Sequence, residues 1–408
     1  MAEWQTVRLG EIVKTNQSAY SPKENWQFVN YLDTGNITMN KIDEIQYINT
    51  AKDKLPSRAR RKVKTNSIIY STVRPNQLHY GIIKEQPDNF LVSTGFTVID
   101  VNYDKAVPDF IYYALTKQEV TEQLQAIAEQ SVSAYPSLKP SDIENLEFML
   151  PDKKTQERIV AILRSIDEKI KENNAINNNL EQQAKAIFKS WFVDFEPFGG
   201  VQPSEMQFIP LQELCEVVTK GTTPTTLGKS FTSSGINFIK AESILDNHSI
   251  DSSKFAFVDE ETNALLKRSV IKANDIIFTI AGTLGRFAMV DNSVLPANTN
   301  QAVAIIRPDE AKTTPAYLYS FFIGNWHNEY YSKRIQQAVQ ANLSLTTIKS
   351  LPIAVLNNTT MSNYDKLVSP LFALMKNNEE ENRRLSKLRD ALLPKLMSGE
   401  LDVSDIEI

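Results

Sequence analysis

Eight basic side chains, Lys52, Lys54, Arg58, Arg60, Arg61, Lys62, Lys64 and Arg74, fall within residues 52–74 beside a single acid, Asp53. That is +7 over 23 residues in a chain whose formal total is −5. Positive charge at this density suits phosphates, because each cation placed on a phosphate releases a condensed counterion. The segment ends in Arg74-Pro75-Asn76-Gln77-Leu78-His79. Arg74, Asn76, Gln77 and His79 are all side chains that can pair with base edges. A solvated basic face would show the same charge run, so the segment admits both readings.

A second locus is Lys220-Gly221-Thr222-Thr223-Pro224-Thr225-Thr226-Leu227-Gly228-Lys229-Ser230. Its Gly-Lys-Ser ending invites a nucleotide-loop reading. That motif needs four residues between its glycines, whereas Gly221 and Gly228 are separated by six. Hydroxyls and backbone amides also bind DNA phosphate and sugar, which gives Lys220, Thr222, Thr223 and Lys229 a different use. Arg286 closes a further glycine turn, Ala281-Gly282-Thr283-Leu284-Gly285-Arg286.

Catalytic chemistry is harder to find. No Asp/Asn-Pro-Pro-aromatic tetrapeptide and no Gly-x-Gly occurs. Asp152-Lys153-Lys154 and Asp167-Glu168-Lys169 match only the short half of a nuclease motif, in a stretch of alternating charge. One cysteine excludes an intramolecular disulfide, and with three histidines it leaves too few ligands for zinc ribbons or fingers. Cys215 lies in an apolar helical pattern and is expected in the core. No apolar run approaches the ~18 residues of a membrane helix, and no leader pattern opens the chain. A soluble, cytoplasmic protein is expected.

The elements that carry these residues come in duplicate. Val7-Arg8-Leu9-Gly10-Glu11-Ile12 is echoed by Ile209-Pro210-Leu211-Gln212-Glu213-Leu214, and Asn66-Ser67-Ile68-Ile69-Tyr70 by Asn274-Asp275-Ile276-Ile277-Phe278. Pro108-Asp109-Phe110 matches Pro315-Ala316-Tyr317, and Ser137-Leu138 matches Ser344-Leu345. The shared order and near-constant offset make this an internal repeat. Residues 67–73, 90–101, 275–280 and 302–306 read as strands, and helices are expected after Pro108 and Pro315.

Each copy ends in a heptad pattern. In the first, Ile159, Leu163, Ile166, Ile170, Asn173, Asn177, Leu180, Ala184 and Ile187 alternate spacings of four and three. In the second, Tyr364, Val368, Leu371, Met375, Asn378, Asn382, Leu385, Arg389 and Leu392 repeat it, asparagine layers included. Buried asparagines would fix register, whereas fraying or solvent-facing ones would not. Ser369-Pro370 and Pro394 suggest that the second helix starts or kinks near 370 and stops near 393, about 36 Å against roughly 50–60 Å for the first. A pseudo-two-fold relation between the copies would make the helices antiparallel. The linker around Gly199-Gly200 carries Phe195 and Phe198, next to Trp191 and Phe192, which are expected to seat it on a helix end or a partner.

Over essentially its whole length the chain resembles the specificity subunit of Type I restriction–modification enzymes. The residues that carry the likeness are Pro151, Gln156, Ile159, Val160 and Leu163 opening the first helix, and Phe188, Trp191, Phe192, Val193, Asp194, Phe195, Glu196 and Pro197 closing it. They also include Leu392-Leu393-Pro394-Lys395-Leu396-Met397-Ser398-Gly399-Glu400-Leu401, Gly221-Thr222-Thr223-Pro224, the run from Asp275 to Gly285, Asn300-Gln301-Ala302-Val303 and Ser71-Thr72-Val73-Arg74-Pro75. The second helix departs by lacking the Gln-x2-Ile-Val opening.

The resemblance implies an α+β chain of two globular target recognition domains separated by two long antiparallel coiled-coil helices. Its parts would be recognition domain 1 (1–152), a central helical spacer (153–192), a linker (193–207), recognition domain 2 (208–358) and a C-terminal helical region (359–408). It further implies a subunit without catalysis of its own. Each domain would read one half of a bipartite site in double-stranded DNA, and the helices would set the spacer and dock two modification (methyltransferase) subunits. S-adenosylmethionine would then sit on the methyltransferase partner, and ATP and Mg on two restriction subunits, with no cofactor on this chain. Half-sites one turn apart lie ~34–36 Å from each other, within reach of either helix length. Differences between the domains imply an asymmetric site. A coiled-coil protein adaptor that never touches DNA is the alternative, and a nucleotide-loop enzyme a third reading.

Overall fold

The computed structural model describes residues 4–131, 135–326 and 343–406. It divides into two compact units, residues 1–170 with 384–408 and residues 171–383, so each unit contains a mixed domain and a stretch of both long helices.

In the first unit, strand Gln5–Arg8 pairs antiparallel with Glu147–Leu150 and ties the start of the domain to its end. An antiparallel sheet in the order Val13–Thr15, Phe96–Val101, Ile68–Ser71, Tyr80–Ile82 forms the centre. Its residues alternate between two cores. Ile68 and Tyr70 join Phe110, Ile111 and Leu124 from the helices Pro108–Leu115 and Gln118–Glu129, while Ile69 joins Phe90, Val92 and Val98. Burial on both faces is why the run reads as continuously apolar. A second sheet runs Gln46–Asn49, Phe28–Leu32, Phe90–Ser93, Ala59–Lys62, with the middle pair parallel. The stretch 90–101 is therefore two strands in two sheets, broken at Thr94-Gly95, rather than one.

The second unit follows the same plan. Gln207–Pro210 pairs with Pro352–Val355. The central sheet runs Cys215–Lys220, Val303–Pro308, Ile276–Thr279, Phe287–Met289. Ile276 and Phe278 face one core and Ile277 the other, as in the first copy. Cys215 is buried but opens a strand, contrary to the helical pattern, because its segment pairs antiparallel with Val303–Pro308. The smaller sheet has only three strands, Ala256–Val258, Ile236–Ile239 and Ala297–Thr299. Where the first unit has strand Ala59–Lys62, the second has a single bridge from Ile271 to Ala297.

The first long helix is Lys153–Phe192 and the second Asn358–Ser398, each about 60 Å long at 1.5 Å per residue. The second thus begins twelve residues before Pro370 and passes through both Pro370 and Pro394, correcting the shorter helix expected from the prolines. Its start is equivalent to that of the first. Asn357 Oδ1 accepts the Thr360 amide at 2.9 Å, as Asp152 Oδ1 accepts the Thr155 amide at 3.0 Å. Tyr364 and Val368, on the N-terminal side of Pro370, are fully buried among Trp191, Phe192 and Tyr317. Burying two such side chains offsets the ~3 kcal/mol that an interior proline costs. Gln156 explains its place in the motif: its side chain accepts the Val107 amide and donates to the Pro151 carbonyl, both at 2.8 Å. Met361 stands in the same position of the second copy and packs on the apolar core instead.

Within each unit the helices run antiparallel. In the second, Asn378 donates to Asn177 Oδ1 (2.8 Å), Asn177 donates to the Met375 carbonyl (3.1 Å), and Asn173 donates to Asn382 Oδ1 (2.9 Å) and to Glu381 (2.8 Å). In the first, Arg389 meets Asp167 at 3.0 Å while the Tyr113 hydroxyl donates to the other oxygen of that carboxylate. Ile159, Leu163, Ile166 and Leu180 are buried, while Ile170, Leu385 and Leu392 are half-buried. The seam shifts in two places. Phe372 is more buried than Leu371, and Phe188 and Phe192 take over from Ile187, because the seam there follows the spacing of a straight helix.

A cavity of about 720 Å³ lies within the second unit, between Phe372, Met375 and Glu379 of the long helix and Tyr319 and Asp291 of the domain. Burial raises the Glu379 carboxyl from 4.5 to about 7, with Asp291 adding to the shift and Arg383 opposing it. The folded state thus holds a proton that the unfolded state releases near 4.5. Stability is highest below that value and falls as pH rises through 4.5–7. Glu379→Gln is expected to remove this slope and to raise the melting temperature at pH 8 by about 3–6 °C, read by thermal denaturation across pH. A second prediction concerns Asp275, fully buried and held by Arg307 through two hydrogen bonds of 2.7 Å. Arg307→Leu leaves that carboxylate unpaired and is expected to cost about 3–5 kcal/mol in urea denaturation.

Candidate nucleic-acid interface

The basic segment of the first domain starts in the turn before the edge strand Ala59–Lys62 and continues beyond it. Its cations divide by environment. Lys52, Lys54 and Arg58 are exposed and Arg60 is half-buried, and none of the four has an ion pair among the described residues. Lys62 is paired with Glu24 and lies 5.0 Å from the centre of the Trp26 ring. Lys64 is within 3.6 Å of Asp100. Arg61 is half-buried, its Nε shut away without a partner, and burial pulls its guanidinium below the ordinary value. The density legible in sequence therefore resolves into a smaller set of available charges.

The turn that follows is tightly built. Arg74 adopts a left-handed conformation (φ 49°), residues Pro75–Gln77 form a single 3-10 turn, and Leu78 is left-handed again (φ 58°). The Asn76 amide donates to Gln125, which anchors the turn on the helix Gln118–Glu129. Asn76 and Gln77 project to solvent. His79 is turned inward: its Nδ1 lies 2.6 Å from the Ile37 carbonyl, which can only accept, so His79 braces the neighbouring hairpin rather than offering itself to a ligand. The Arg74 guanidinium sits 5.2 Å from the centre of the Tyr135 ring. Tyr135, 59% exposed, escaped the sequence reading because it stands more than sixty residues from the basic cluster.

The second domain presents a different surface. Gly221 is required by packing, since a Cβ there would lie 1.9 Å from the Thr299 carbonyl oxygen. Its amide donates to Asn300, the Gly228 amide to Thr225 and the Lys229 amide to Pro224, so the donors of a phosphate cradle are already engaged. The nucleotide-loop reading fails on that geometry. Thr223 bonds Gln301, and Lys229 meets Glu261 at 2.8 Å, a contact that holds its ammonium above the ordinary range. The Lys220 carbonyl and the Thr222 hydroxyl both accept from Arg268, an exposed arginine that the sequence reading passed over. Arg286 is clamped by Asp246 through its Nε (2.7 Å) and Nη2 (2.6 Å). The structure thus gathers Lys220, Thr222 and Thr223 at one end of the central sheet, but answers Lys229 and Arg286 with acids.

Two stretches of the chain, residues 1–182 and 203–357, match the family model described as the Type I restriction modification DNA specificity domain. The HindI specificity subunit of Haemophilus influenzae is 27% identical, over 98% of this chain and 100% of that protein. The MjaIX specificity subunit of Methanocaldococcus jannaschii is 26% identical, over 74% of this chain and 71% of that one. A crystal structure of the S subunit of a type I restriction–modification system from M. genitalium shares the fold, with a TM-score of 0.57 at 16% identity over 99% and 97% of the two chains. With the two matched stretches covering most of its length and falling one on each of the two duplicated domains, the chain belongs to the specificity subunits of type I restriction–modification systems.

Proposed function

We propose that this non-catalytic subunit supplies DNA sequence specificity by reading an asymmetric bipartite site, one half with each recognition domain. The paired helices set the spacer and dock two methyltransferase subunits, and two restriction subunits complete the assembly. The observation that carries the proposal is one core plan bearing two unlike surfaces. The first domain offers Lys52, Lys54, Arg58 and Arg74 on the turns before and after its edge strand, and the second a hydroxyl-rich loop whose Lys229 is already paired. Like cores place the reading surfaces equivalently, and unlike surfaces read different bases.

The chain itself is proposed to bind no cofactor. S-adenosylmethionine belongs to the methyltransferase partner, and ATP and Mg to the restriction partner. Among the described residues no group of three or more His, Cys, Asp or Glu is placed to hold a metal ion. Among the described residues no helix is long and apolar enough to cross a membrane, and a cytoplasmic location is proposed.

Footprinting of the assembled methyltransferase is expected to show two short protected tracts with an unread spacer. One contiguous tract would overturn the spacer role, and no gel shift with the methyltransferase present would favour a protein adaptor. Cations that neutralise phosphate should also appear in the salt dependence. Arg58→Ala and Lys54→Ala are each expected to lower the slope of log K against log salt by about 0.9, with the ranking of sequences unchanged. An unchanged slope for both would make the segment a solvated face.

A further inference from the structure

Twelve non-glycine residues among those described have positive φ, and seven of them are asparagine, which tolerates that conformation. Of the other five, Met39, Arg74 and Leu78 belong to one locality: the Met39 amide donates to the Leu78 carbonyl at 2.9 Å, four residues after Arg74. A left-handed backbone strains a residue with a long side chain, and such strain gathers where function fixes the side chain.

The internal repeat supplies a control. Arg74 corresponds to Gly282, and the surrounding bonds correspond too: Leu138 and Leu343, each just before the N-cap of a short helix (Pro140–Glu144 and Leu345–Lys349), donate to the Thr72 and Ile280 carbonyls, which corrects the Ser-Leu match of the sequence by two residues. Gly282 has the same left-handed backbone (φ 78°), and there the conformation is free of strain. The fold therefore asks for glycine at this place, and the first domain carries arginine instead. The nearest cation in the second copy, Arg286, is held by Asp246. Arg74 is exposed, has no ion pair among the described residues, and lies against the Tyr135 ring, which steadies the guanidinium plane without covering its donors. A planar fork held in this way matches the N7 and O6 acceptors of guanine.

We infer that Arg74 is a base-reading residue of the first recognition domain, pairing with a guanine in the major groove of its half-site from a turn strained to present it. The inference rests on the proposed bipartite reading. It separates Arg74 from Lys52, Lys54 and Arg58, whose contacts would be to phosphate.

The test uses the full chain assembled with its methyltransferase subunits. Binding is titrated on a duplex carrying the site mapped from its own methylation, on duplexes with each G·C pair of the half-site replaced, and on a duplex without the site. Arg74→Gly relieves the strain and is expected to melt at or above the wild-type temperature, so lost binding cannot be laid to misfolding. Arg74→Lys keeps the charge and loses the fork. Both variants are expected to bind the cognate duplex ten- to a hundredfold more weakly and to become indifferent to one G·C position, while Arg74→Lys keeps wild-type affinity for the duplex without the site. Undiminished discrimination in both variants would overturn the assignment, as would equal weakening of Arg74→Lys on every duplex. A wild-type complex that shows no preferred site would remove the bipartite reading, and this inference with it.

Discussion

Asparagine at the centre of a helix seam is a demand for one alignment. Asn173, Asn177 and Asn378 are each buried, and an amide shut from water without a partner costs about 1–3 kcal/mol. The repeat places asparagines at two equivalent positions in each copy, and the antiparallel pairing matches the earlier one of one helix with the later one of the other: Asn173 with Asn382, Asn177 with Asn378. Sliding by a heptad would set Asn177 against Leu371 or Leu385 and Asn173 against Met375 or Arg389. Register is therefore fixed by polar satisfaction, where an apolar seam alone would accept several alignments. The aromatic packing of Trp191, Phe192 and Tyr364 depends on that register in the second unit, and in the first unit the Asp167–Arg389 pair follows the same register.

Duplication has preserved the core and released the surface. The central sheet is buried on both faces in each domain, which leaves little latitude in its strands, and Ser67-Ile68-Ile69-Tyr70 and Asp275-Ile276-Ile277-Phe278 remain alike. Even polar positions inside keep their pairing while changing chemistry. Ser67 donates to Asp100 in one copy, and Asp275 takes a bidentate bond from Arg307 at the corresponding places in the other. Outside, the edge strand Ala59–Lys62 is reduced in the second copy to the single bridge at Ile271, and Arg74 is replaced by Gly282.

What the sequence made legible followed from repetition and period. The duplicated domains, the antiparallel helix pair with its asparagine layers, and the helices at Pro108 and Pro315 all stand in the structure. Two local rules misled. Pro370 and Pro394 look like ends, yet Tyr364 and Val368 on one side and Leu396 and Met397 on the other are buried strongly enough to carry the helix through. Cys215 sits among residues that suit either period, and pairing with Val303–Pro308 decided for strand. The surface was less legible because charge in a sequence does not reveal its partners: Lys229, Arg286 and Lys62 are answered by Glu261, Asp246 and Glu24 from distant positions.

Cations answered by distant acids also bear on how a chain of net charge −5 can serve DNA. A uniformly basic surface would hold any duplex and blunt discrimination, since phosphate contacts carry no sequence information. Pairing off cations, Lys229 and Arg286 in the second domain and Lys62 and Lys64 in the first, lowers sequence-independent attraction, which increases the share of the binding energy left to base contacts. Partners that add nonspecific affinity then raise occupancy without changing which sites are preferred. On this argument the acidic balance of the chain is itself a determinant of specificity, acting through what it prevents.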